Sequence, residues 1–470
     1  MLGTLVANAI RRMNNLESFS WDMPTGVLPS VFAALGLLAH QPGKKCKLNS
    51  VRIRWHDNTK CIRKVGAPDP YDEADSMALV PQGTRTTLIG LMLPPGRRHP
   101  RPRVPVPYSE YPSGYPTFSV LPPLKSLAVL DIDEIGYLDE MAVLIGRSKD
   151  ILKELSVGIS SRALNLAFAY PWDGPGLEQI DHSARWPGES TVGVRRLGGV
   201  LGVLVGKVYD IPKRELQDQP ALPAALQPQK MNAFLPTLRV TQCPKTSGPK
   251  HSSRTPLEGK LKLQKLALER VPLSIHVCRY AFDWSVLTNL TLLSCGKLDK
   301  LWKMLRRHFR PTQVRTTFSV SPNNKPSVDV MRKYHLALKV IHTDTTSLPL
   351  INLIKETLAP NSLEGLFLLH RPGSKGSMLP LDTIFRGAIK PHHESLRKVF
   401  LRGHSLDWAL PTNMSLYLTS GRMKNLRELS AAMKYRDWVS FTANFRPLPP
   451  SPQASPSPPP HSHKQNTKPN

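Results

Sequence analysis

The chain has 470 residues, 40% of them apolar, 46 prolines and a formal net charge of +28. Two or three ordinary domains or one long repeat array fit that length, and the apolar share allows a sizeable core. No apolar run reaches the ~18 residues of a membrane-spanning helix, and five scattered cysteines without a Cys-x-x-Cys pair argue against a disulfide scaffold or a zinc module.

The N-terminal stretch "MLGTLVANAIRRMNN" has its apolar part before its arginines, the reverse of a secretory signal. With the cysteine usage, this predicts a cytoplasmic or nuclear protein. Repeat-like sequence then begins almost at once. The recurring pattern is Leu, two non-apolar residues, a large apolar residue, any residue and a large apolar residue. Chance predicts about two such hits in a chain this leucine-rich, whereas ten occur, starting at Leu16, Leu48, Leu124, Leu138, Leu152, Leu235, Leu263, Leu287, Leu363 and Leu396. The copy at Leu138 reads better as helix. Weaker copies start at Leu88 and Leu426. Neighbouring copies are often 24 to 33 residues apart, and the three larger gaps have room for two to three units each.

Amphipathic helical stretches precede several copies: 31–41, 139–151, 349–359 and 381–389. A helix between successive strands makes the strands parallel. The predicted fold class is therefore α/β: a leucine-rich-repeat-like solenoid with short parallel strands on the concave side and helices on the convex side. The alternative is an ordinary α/β domain with leucine-rich strands. Domain organisation follows as N-terminal repeats over 1–170 with a Pro/Arg-rich insertion at 94–123, an irregular segment over 171–260 with one repeat near 235–243, C-terminal repeats over 261–446, and a disordered Pro/Ser/His tail over 447–470. The Gly/Val-rich run 192–212 could supply strands. Cys243 and Cys295 fall where such repeats place a side chain that bonds turn backbone, a structural role.

Motifs for chemistry are weak. "GGVLGVLVGK" fails the phosphate-loop spacing, and Val208 stands where Ser or Thr is required. The acidic cluster Asp131, Asp133, Glu134, Asp139 and Glu140 lacks calcium-loop spacing and reads as a solvated helix N-terminus. His392–His393 and His461/His463 have no further metal ligands nearby. No catalytic, cofactor or metal residue is expected, and no enzymatic activity.

The runs "AIRRMNNLESFSWDMP", "FAALG", "LNSVRI", "LKELSVGIS" and "SLEGLFLLHRPGS…SLRKVFLRG" resemble leucine-rich-repeat proteins of filamentous fungi, many of them F-box proteins. That resemblance implies a repeat body that recruits a substrate. It also implies a Skp-type adaptor of a cullin ubiquitin ligase as second partner, if an F-box lies upstream, since none precedes the first repeat here.

With Leu positions facing inward, alternation places the intervening residues on the open face of the sheet. Most are polar: Ser18, Ser20, Asp22, Arg52, Arg54, Glu154, Ser156, Thr237, Arg239, Thr241, Lys265, Glu269, Asn289 and Thr291. The copies at Leu363 and Leu396 instead present Phe367 and Leu369, then Lys398, Phe400 and Arg402. In register, Phe367 lies beside Phe400 and Leu369 beside Arg402, about 5 Å apart. These five residues are the candidate protein-binding site on the concave face; cover by the tail or a loop, or a register off by one, is the competing reading. A protein-interaction scaffold is the leading function. A basic nucleic-acid-associated protein and a truncated gene product are the alternatives, with no membrane partner.

Overall fold

The computed structural model describes residues 2–23, 26–40, 46–55, 117–184, 187–211, 259–316, 329–370, 379–403, 408–419 and 421–432. Twelve strands form within them: β1 (Ser18–Asp22), β2 (Ser50–Arg54), β3 (Ser126–Ile132), β4 (Glu154–Ile159), β5 (Lys265–Glu269), β6 (Asn289–Leu293), β7 (Thr312–Thr316), β8 (Asp329–Lys333), β9 (Val340–Thr343), β10 (Gly365–Leu369), β11 (Lys398–Arg402) and β12 (Glu428–Ala431). Ten of them make one parallel sheet in strict chain order, from β1 at one edge to β12 at the other; β7 and β8 stand apart as an antiparallel pair.

Helices lie between the strands: α1 (Leu2–Arg12), α2 (Pro29–Ala39), α3 (Ile135–Ser148), α4 (Gly199–Val205), α5 (Ile275–Ala281), α6 (Leu298–His308), α7 (Leu348–Thr357), α8 (Leu381–Ile384, continued by a π turn over Phe385–Ile389) and α9 (Thr412–Thr419). The four helical stretches expected from periodicity are thus α2, α3, α7 and α8. Their buried sides join the inward strand residues in one continuous apolar cluster.

Three ladders run across the sheet. The first holds the leading leucines, from Leu48, Leu124 and Leu152 through Leu263, Leu287 and Leu338 to Leu363 and Leu396, all buried. The second and third are the inward strand positions, such as Val51–Leu127–Leu155–Leu266–Leu290–Ile341–Leu366–Val399. Full burial of such a side chain stabilises by roughly 1.5–3 kcal/mol. The residue after each leading leucine is polar, and its carbonyl accepts two backbone N–H groups of the next unit. Asn49 and Ser50 donate to Glu17, for example, and Glu364 and Gly365 donate to Lys339 at 2.7 and 2.9 Å. The same double bond recurs at every junction of the ten-stranded sheet.

Several expectations change. Leu338 leads a unit that the sequence pattern missed, because Val340 stands at a position the pattern keeps non-apolar and Thr343 at its last apolar position; the Thr343 hydroxyl is buried but accepts from the Thr345 N–H. The gap from Leu287 to Leu363 holds this single further sheet strand, with the β7–β8 hairpin beside it. The copies at Leu88 and Leu235 lie outside the described residues, as do Thr237, Arg239, Thr241 and Cys243. Among the described residues, β2 pairs directly with β3 and β4 with β5. The insertion 94–123 falls outside the described residues up to 116, and so does the tail 447–470. Leu138 is on α3, as its periodicity suggests.

The Gly/Val-rich run forms α4, a helix buried on all sides, instead of strands. A short apolar run has no polar face from which to read its period. Gly202 is required there, since a Cβ would clash with the Leu197 carbonyl oxygen.

Truncating a ladder leucine leaves a cavity. Leu338→Ala should therefore lower stability by about 2–5 kcal/mol, as much as Leu363→Ala. Denaturant unfolding checks this; a cost below that of an exposed control such as Asp22→Ala would remove Leu338 from the ladder.

Candidate functional site

Alternation along each strand leaves an outer row running Ser20, Arg52, Ala128, Ser156, Ala267, Thr291, His342, Phe367, Phe400 and Ser430. The row is polar or small until β9, aromatic over three adjacent strands, and polar again at β12. Phe367 pairs with Phe400, and Leu369 with Arg402, in the register expected from sequence. The two phenyl rings stack at 4.7 Å between centroids and 15° between planes. His342 extends the stack to 5.4 Å from Phe367. The sequence reading omitted His342 because it belongs to the missed unit of Leu338.

The rings are half-buried, not fully open. They shield one another, and Phe367 leans over Gly365. A Cβ on Gly365 would lie 3.2 Å from the Phe367 ring and 3.3 Å from Val340. Burial lowers the His342 pKa against the opposing pull of Asp344, so the imidazole is held towards its neutral, stackable form. Arg402 is exposed, at the rim. Lys398 is already engaged: its ammonium lies 2.6 Å from the Glu428 carboxylate, across the β11–β12 pair. Its expected place in the contact surface therefore weakens to that of a bridge fastening the edge strand.

The remaining candidate chemistry is absorbed by the fold. The acidic cluster is not a solvated helix end. Asp131 pairs with Arg270 and Arg54, and Asp133 with Arg162. Glu140, fully buried, accepts from the Thr117 and Ser119 N–H groups. Asp139 is buried beside the Arg196 guanidinium at 2.8 Å. Burial pushes its carboxyl well above the ordinary range even against that cation, because desolvation penalises the charge more than the pair repays it. Arg196 also donates to the Gly193 and Gln179 carbonyls, which ties the 178–196 loop to α3.

Cys278 and Cys295 are buried, and burial pushes both thiols up to about 12, far from a reactive thiolate. Cys295 Sγ lies 3.4 Å from the Leu268 carbonyl of the preceding strand, the structural bond expected of it. His392 is fully buried under the Leu363 turn, where its Nδ1 accepts the Leu363 N–H at 3.4 Å. Burial lowers its pKa to about 4.

A larger residue at Gly365 should displace the Phe367 ring: Gly365→Val is expected to cost roughly 1–3 kcal/mol, read from denaturant unfolding, while an unchanged midpoint would mean the ring does not rest there. His392 titrates near 6.5 when unfolded and near 4 when folded, so the unfolded chain holds the extra proton between those values. Stability present above pH 6.5 is lost as pH falls toward 4, by up to ~3 kcal/mol. Asp139 acts in the opposite sense, since there the folded chain holds the extra proton. The melting temperature of His392→Gln should accordingly fall less than that of the native chain between pH 7 and pH 4.5, and that of Asp139→Asn should fall more. No family model matches the chain, and no curated protein or solved structure is similar to it.

Proposed function

We propose that the chain is a leucine-rich-repeat-type solenoid acting as a non-enzymatic protein-interaction scaffold, its partner seated on the outer sheet face over His342, Phe367 and Phe400. The strict chain order of the parallel strands, with helices between them, supports the solenoid reading: each unit completes its core only against its neighbours. One observation carries the binding reading. An outer row that is otherwise polar or small turns aromatic over three consecutive strands. Stacked, half-desolvated aromatics with an exposed Arg402 at the rim match the composition of interface hot spots, in which a few such side chains dominate the binding energy. Leu369, beside Arg402 in register, adds apolar area to the same patch.

The resemblance to fungal F-box proteins extends the proposal to substrate recruitment for a Skp–cullin ubiquitin ligase. Adaptor binding in that scheme depends on an F-box upstream of Met1.

Phe367→Ala with Phe400→Ala should remove at least about 2 kcal/mol of partner binding and leave the fold intact. Native and doubly substituted chains would be compared by affinity capture from the cells that express the protein, with circular dichroism on both. Collapse of the fold in the double variant would make the two rings core residues, and an unchanged set of captured proteins would place the interface elsewhere.

A further inference from the structure

The helical side carries a second surface, independent of the sheet face. α6 reads LDKLWKMLRRH. Leu298, Leu301, Trp302 and Leu305 face the core and are buried, so the opposite face holds Lys300, Lys303 and Arg307, all exposed. At 1.5 Å per residue these cations stand at intervals of about 4.5 and 6 Å along the axis. Arg279 faces them from α5 across a groove of about 510 Å³ whose floor is Ile275 and Met304. Among the described residues, none of Lys300, Lys303, Arg307 and Arg279 forms an ion pair with a carboxylate, in contrast to Arg306, which pairs with Glu356 at 3.0 Å.

The groove does not end there. Ile275 and Lys300 also line a second cavity of about 350 Å³, which adds Lys297, His276 and Trp172, with Asp173 its one carboxylate. Trp172 lines this cavity, and Tyr280, next to Arg279 on α5, packs against the His276 ring at 4.8 Å beside it. Tyr280 is exposed, lies parallel to Tyr209 at 6.4 Å, and has the Arg279 guanidinium 5.0 Å from its centroid. Trp172 carries Arg195 over its ring at 4.6 Å.

We infer that this channel binds the backbone of a single-stranded nucleic acid, with Lys300, Lys303, Arg307 and Arg279 on phosphates and Tyr280 as a stacking platform for a base. One strand of a duplex advances about 3.4 Å per phosphate along the axis, and an extended single strand advances further, so each cation interval is of the order of one nucleotide. An elongated basic groove with exposed rings suits a flexible polyanion that has flat π-faces. An acidic peptide would use the charges but not the rings. The net charge of +28 brings such a ligand in from a distance.

The test is fluorescence anisotropy of a fluorescein-labelled thymidine 12-mer with the full chain at 50 and 200 mM salt. Neutralising about four phosphates gives a slope near −3, so the fourfold rise in salt should weaken binding roughly 50-fold. Lys300→Gln, Lys303→Gln and Arg307→Gln together should cut the slope by about 2. Reversal of the same three residues to Glu should cost at least about tenfold in affinity at 50 mM salt. Reversal of Arg11, Arg12 and Lys149, exposed cations away from the groove, should cost less than about twofold there. Tyr280→Ala should lose roughly tenfold with its slope unchanged. The inference is overturned by any of four results: no binding at 50 mM salt, equal losses in the two reversal variants, a 12-residue polyglutamate competing as well as the oligonucleotide, or an unaltered affinity in Tyr280→Ala.

Discussion

Each strand of the large sheet is fastened to the next by one carbonyl that accepts two N–H groups, on the residue after the leading leucine. This repeated bond fixes the phase of every unit. Side chains alternate with period two, so a slip of one residue at any junction would turn a whole strand's apolar set outward. With the phase fixed, equivalent positions stack into ladders. The inward ladders become a continuous core, and the outward ones become continuous rows whose chemistry can be compared strand by strand. The aromatic segment of the outer row is visible as an exception only because the rest of that row keeps the same phase.

The parallel α/β character was legible because it rests on a local pattern. Leucine followed by a polar residue, then alternating apolar residues, marks eight of the ten sheet strands directly and a ninth, at Leu426, weakly. What the sequence concealed is where local chemistry is satisfied by distant backbone. Thr343 breaks the pattern, yet it fits a buried ladder because its hydroxyl is bonded within its own turn. Asp139 and Glu140 look like a hydrated helix start, yet their partners lie 57 and 23 residues away in sequence, in Arg196 and Thr117. Leu235 has the full motif but lies outside the described residues, while β4 pairs directly with β5. A motif establishes that a segment can fill a ladder position, and only the pairing establishes that it does.

The candidate site shows the same division. The register of Phe367 and Phe400 followed from alternation alone. The third ring, His342, belonged to the unit hidden by Val340 and Thr343. Lys398 was placed correctly on the outer face, but its charge is spent on Glu428 at the neighbouring strand. An exposed pair of this kind contributes little to stability, yet it leaves Arg402 as the exposed cation beside the aromatic row.

The two surfaces proposed for binding lie on opposite sides of one core. α6 sits on the inward side, since Leu301, Trp302 and Leu305 share the cluster of Leu290 and Ile341. Its cations therefore point away from the sheet, while His342, Phe367 and Phe400 point away from the helices. A ligand on one surface leaves the other free, since one continuous apolar cluster lies between them. A rigid, close-packed layer holds the two surfaces at a fixed separation. Coupling between them would need a second arrangement of that layer. The shared carbonyls at the strand starts oppose this, because shifting one unit breaks bonds on both of its sides at once. The architecture thus favours simultaneous, independent occupancy of the two proposed surfaces, with position instead of conformational change transmitted between them.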